Sequence, residues 1–157
     1  ESTLWAAENG FHLLTSSVIQ SRESTDFDRE QHAQIQLFRA HHADGDRARV
    51  SQGLVVIPTD TANAEQRERY LAYAASRAHR VGVPHGPKRM LFAPALVGPS
   101  TQIADTLLTS HAFADVDEVA FALPFTFDEA DYVQILEDIA GILAPLLGWR
   151  PTALPTA

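Results

Sequence analysis

The chain has 157 residues, 45% of them hydrophobic, which is enough apolar material for one ordinary core and excludes a disordered or fibrous protein. Its formal net charge of -8, with 12 basic residues that form no stripe, argues against a nucleic-acid or anionic-membrane surface. With no cysteine there is no disulfide framework, no thiolate zinc site and no cysteine nucleophile, a composition that suits a reducing cytoplasm.

The first ten residues, Glu1 to Gly10, read as a short helix that starts at or before the first residue. Ser2 or Thr3 can cap its free amides, and Asn9-Gly10 supplies a left-handed stop. Phe11 to Ile19 is an apolar run of the buried-strand type. A polar loop, Gln20 to Thr25, leads to a helix entered at Thr25 with Asp26 and Asp28 in its first turn, ending near His42. Phe27, Ile35, Phe38 and His42 fall on one face of it, the stripe of a helix lying on a sheet.

Arg49 to Thr59 reads as a buried parallel strand, with Val50, Leu54, Val55, Val56 and Ile57 ahead of Pro58. Asn63 and Gln66 make a capping-box start for a helix to about Arg80. Residues 81–96 break the rhythm, because Gly82, Pro84, Gly86, Pro87 and Pro94 exclude a regular helix; a connection this long is a functional or mobile loop. Gly98-Pro99 opens a further helix with Ile103, Ala104, Leu107 and Leu108 on its apolar face. Asp117 to Phe125 is a strand, and Asp128 caps a last helix striped by Val133, Leu136, Ile139, Ala140 and Leu143.

Helix and buried strand in alternation make the pattern of a parallel α/β protein. Three strands each followed by a helix amount to half of an eight-stranded barrel, which as a whole needs about 250 residues. The expectation is a fragment, one single-domain piece over residues 1–157. No run of eighteen apolar residues occurs, so no membrane span is expected.

Three stretches, in order and spacing, resemble the bacterial luciferase-like, flavin-dependent monooxygenases: Trp5-Ala6-Ala7-Glu8-Asn9-Gly10 before an apolar strand, Gln34-Ile35-Gln36-Leu37-Phe38-Arg39, and Val97-Gly98-Pro99-Ser100. The closing Leu147-Gly148-Trp149-Arg150-Pro151 is similar to the end of many such chains. The resemblance implies a fold, the carboxy-terminal half of a (β/α)8 TIM barrel, and a cofactor, FMN. It puts Ser2, with its neighbour Thr3, at the phosphate, and Ser16 and Ser17 at the carboxy end of a strand facing the flavin ring or substrate pocket. It makes residues 81–96 the mobile active-site loop, with His85, Lys88 and Arg89 as lid residues.

Each of these residues has a plainer reading. Ser2 and Thr3 also serve as a helix cap, and Ser16 and Ser17 as hydroxyls that end a strand by bonding to its backbone. His41 and His42 cannot chelate one metal from adjacent helical positions, and no metal site is expected. Asp128, Glu129 and Asp131 suit a helix start electrostatically.

The resemblance implies a cytoplasmic enzyme that uses FMN, reduced by a separate flavin reductase, with oxygen to oxidise a small organic substrate. Its catalytic acid or base is unknown from this sequence. The partners so implied are the amino-terminal half of the same barrel and a second copy in a homodimer, with no nucleic acid and no membrane. Three alternatives stay open: a deazaflavin in place of FMN, a non-catalytic flavin-binding relative, and a structural half-barrel assembly module.

Overall fold

A computed structural model of the chain describes residues 2–150. Glu1 and Pro151, which entered the reading of the two chain ends, lie outside the described residues.

The long helices form where local chemistry starts them. Asp26 caps α2 (Phe27–His41) by accepting the Arg29 N–H at 3.2 Å, one residue later than the Thr25 start expected. Asn63 and Gln66 close a reciprocal capping box on α3 (Ala64–Ala78), as Asp128 and Asp131 do on α6 (Glu129–Asp138). At α4 (Ser100–Leu108) the Asp60 carboxylate accepts the Ser100 N–H at 3.0 Å and the Ser100 hydroxyl at 2.6 Å. The short α1 (Ser2–Glu8) and α5 (His111–Ala114) flank α2. After α6 the chain continues through a π-helical turn, Ile139–Leu143, into α7 (Ala144–Leu146).

The half TIM barrel implied by the resemblance is not what the chain forms. It is a small α/β domain with mixed pairing, and its described strands close no barrel. β1 (Leu13–Thr15), β3 (Val50–Leu54) and β7 (Glu118–Phe121) make a parallel sheet in the order β1-β3-β7. β4 (Val56–Pro58) pairs in parallel with β6 (Leu96–Gly98), while β2 (Val18–Gln20) and β5 (Met90–Phe92) pair antiparallel.

Two interruptions produce this arrangement. The run Phe11 to Ile19 breaks at Ser16-Ser17, where the Ser16 hydroxyl accepts the Val18 N–H at 3.1 Å and so diverts the backbone from the ladder. β2 then lies against the segment read as an irregular loop: residues 81–96 contain β5, and His85 and Met90 exchange both backbone bonds at 2.9 Å. The second interruption is Val55. On one side of it Leu54 accepts from Ala122 at 2.7 Å, and Val55 itself accepts from Leu96 at 2.9 Å, so the ladder passes from β7 to β6. Gly53 lets β1 come close: a Cβ there would stand 3.1 Å from the Thr15 carbonyl oxygen.

Two apolar cores result. Ala7, Ile35, Phe38, Ala48, Val50 and Ala112 form one, between α1, α2, α5 and the sheet. Leu54, Val56, Ile57, Tyr70, Ile103, Leu107, Ile135 and Leu143 belong to the other. The buried face of α6 differs from the stripe read from the sequence, since Val133 and Leu136 are exposed while Asp131, Gln134 and Asp138 are buried. A polar network turns the helix that way. Tyr70 donates to Gln134 at 2.8 Å, Gln134 donates to Asp138 at 2.6 Å, and Asp138 accepts the Thr61 N–H and hydroxyl at 3.0 and 2.8 Å. Burying these groups unpaired would cost more than exposing two aliphatic side chains. Burial, and then the Asp131 carboxylate, raise the Tyr70 hydroxyl pKa well above its ordinary value, so it stays a donor.

Candidate functional site

The strand break at Ser16 opens a cleft of about 340 Å³ between the start of α1, the end of β1 and the β2–β5 ribbon. Four of the residues singled out in the sequence line it: Ser2, Thr3, Ser16 and Lys88. Arg22, which the sequence reading passed over as part of a polar loop, lines it too, beside Gln34. Among the described residues no carboxylate lines this cleft, and Arg22 and Lys88 are its charged groups.

Each cation is carried by a built piece of backbone. The loop holding Arg22 is fastened from inside by Glu30 of α2, a buried carboxylate that accepts the N–H groups of Arg22 at 3.0 Å and Glu23 at 2.8 Å, and of Ser24 as well. Burial alone would raise the Glu30 pKa. The three amides, with the Arg22 charge, outweigh that and leave it below the ordinary carboxyl value. Lys88 sits on the hairpin before β5, where Gly86 and Arg89 take positive φ of 66° and 51° and the Arg89 N–H donates to Gly86 at 3.0 Å.

The other singled-out residues go elsewhere. Ser17 faces a second cavity, and its carbonyl accepts the Ala93 N–H at 2.8 Å. His85 packs its ring edge-on against Phe92, with centroids 5.5 Å apart, and does not line the cleft. Arg89 also lies outside it: its carbonyl accepts the Ser21 N–H at 2.9 Å, and its guanidinium reaches the Ser21 hydroxyl at 3.4 Å. His41 and His42 are in structural roles, His42 buried and accepting the Asp44 N–H at 3.0 Å. Among the described residues no group of three His, Asp or Glu side chains is placed to hold a metal, and no helix is long and apolar enough to cross a membrane.

Three hydroxyls, Ser2, Thr3 and Ser16, with a pair of cations and no competing carboxylate make a donor set for a doubly charged oxyanion. α1 has only seven residues, so its dipole adds little and the side chains carry the charge match.

No protein-family model matches the chain, and no curated protein matches it. The fold has a counterpart among solved structures, the crystal structure of apo-MsnO8. The match has a TM-score of 0.58 at 16% identity, over 96% of this chain and 49% of that one. The chain therefore spans about half the length of that structure. At this identity the likeness speaks for the α/β fold alone.

Proposed function

We propose that the chain is a flavin-binding oxidoreductase piece, a luciferase-like monooxygenase in type, that takes the phosphate of FMN in the cleft between Ser2 and Lys88. The supporting observation is the donor set itself: Ser2, Thr3 and Ser16 with Arg22 and Lys88, and no carboxylate among the described lining residues. A phosphate monoester needs this, with cations for charge and hydroxyls for its remaining lone pairs.

FMN, when bound and reduced, supplies the redox chemistry with oxygen. The chain's own part is narrower. Arg22 and Lys88 neutralise the phosphate, the hydroxyls fix its rotation, and Glu30 keeps the Arg22 loop in register with the cleft. Oxidation of a small organic substrate, with a flavin reductase as partner and the cytoplasm as location, follows from the resemblance.

The test is titration with FMN and with riboflavin, which lacks the phosphate. The unsubstituted protein binds FMN more tightly, and Arg22→Gln with Lys88→Gln removes about 1.5 to 3 kcal/mol of FMN affinity per cation while riboflavin is unaffected. Equal affinity for the two flavins before substitution would remove the phosphate from this cleft. A phosphate-bearing deazaflavin in a third titration separates the two carriers. FMN binding without substrate oxidation in the presence of a reductase favours the non-catalytic relative.

A further inference from the structure

The second cavity, about 500 Å³, lies beside the cleft, and Val18 lines both. Its walls are mostly small and apolar, from Val55, Ala74, Ala78, Ala93 and neighbours, and its charged groups among the described residues are two arginines, Arg77 and Arg80. In a chain with 20 acidic and 12 basic residues, a cavity with two guanidiniums and no carboxylate is out of keeping with the average surface. Neither arginine takes part in an ion pair among the described residues.

Both guanidiniums are held over aromatic rings. Arg77 lies 3.7 Å from the Tyr73 ring centroid and Arg80 lies 4.5 Å from that of Phe92. Stacking fixes the plane of each fork and leaves its edge N–H groups to bond elsewhere. Arg77 uses Nη1 on the Ser76 hydroxyl at 3.0 Å and on the Tyr73 carbonyl at 3.4 Å. The Nε of Arg80 is buried with no hydrogen-bond partner. That Nε is closed to an incoming ligand, whereas the Nη groups of Arg80 make no hydrogen bond among the described residues and are left to take one. The carbonyl end of α3 favours cations nearby, yet that does not account for both guanidiniums lining one cavity that holds no carboxylate among the described residues.

We infer that this cavity is a binding site for an organic carboxylate with an apolar body, the carboxylate taken by Arg77 and Arg80 and the body lying along the alanine-lined wall. On the oxidoreductase reading, this ligand is the substrate, and that last step alone rests on it. Val18 would then separate the carboxylate site from the phosphate cleft.

The experiment compares 2-naphthoate with 2-naphthamide, two probes of nearly the same shape that differ in charge, by calorimetry on the whole chain. Against a net charge of -8, nonspecific binding disfavours the anion, so a preference for it is diagnostic. The expected result is naphthoate binding roughly tenfold or more tightly than naphthamide, with the preference abolished in Arg77→Gln/Arg80→Gln and kept in Arg22→Gln/Lys88→Gln. No preference in the unsubstituted protein would overturn the proposal without any variant having to fold. So would a preference lost only in the Arg22 and Lys88 variant, or displacement of naphthoate by FMN. Failure of FMN to bind at all, with the naphthoate preference intact, would sink the flavin reading and leave this site standing.

Discussion

Glu30→Ala lowers the free energy of unfolding by about 3 kcal/mol near neutral pH, because it strands the amides of Arg22, Glu23 and Ser24 at once. Glu30→Gln costs less. Its remaining oxygen can keep two of the three N–H groups, and its NH2 faces the third, donor against donor. The carboxylate's pKa is lowered in the folded protein, so the stability it adds is full above the unfolded carboxyl value and is lost as pH falls through the folded one. Denaturant unfolding of the native and Glu30→Ala proteins at neutral and acid pH is the check. The gap between them narrows on acidification, and a gap constant with pH would mean that Glu30 acts through packing alone. The same substitution loosens the loop that holds Arg22, so FMN affinity falls further than the stability loss explains.

Phe38→Ala is expected to cost more, about 4 kcal/mol. Phe38 is fully buried on α2 with Ile35 and Val50, and its ring lies 5.2 Å from that of His42. Removing the ring leaves a cavity walled by a helix and a sheet, which cannot both move in to fill it. Thermal or urea unfolding measures the loss directly. A cost below about 1.5 kcal/mol would mean that the site collapses as freely as a volume-conserving exchange allows.

The long helices were legible because their signals are local. Asn63 with Gln66 and Asp128 with Asp131 place a hydroxyl-free cap and its reciprocal partner three residues apart, and nothing distant alters that. The strands were legible only as apolar runs. Whether Ser16 or Val55 ends a strand depends on which partner lies alongside, and those partners, Phe92 and Leu96, come from a segment whose prolines and glycines read as loop. For the same reason a continuous barrel pattern was the wrong conclusion from the right alternation. α6 was turned on its axis by Asp131, Gln134 and Asp138, polar residues that periodicity assigns to solvent and that Tyr70 and Thr61 recruit inward. Of the cleft, Ser2, Thr3, Ser16 and Lys88 were visible. Arg22 was not, since its place is set by a glutamate eight residues further on. Arg77 and Arg80 carry no local signal, because what sets them apart is the Tyr73 and Phe92 rings against them and the cavity that they share.

The two cores share one strand. Val50 at the start of β3 is packed into one and Leu54 at its end into the other, with Gln52 between them bonded to Gln31 at 2.6 Å. α5 joins the two cores as well, with Ala112 in the first and Phe113 packed against the second, so the junction is a strand with a polar middle and a short helix beside it. A substitution in β3 or α5 is therefore felt in both cores at once.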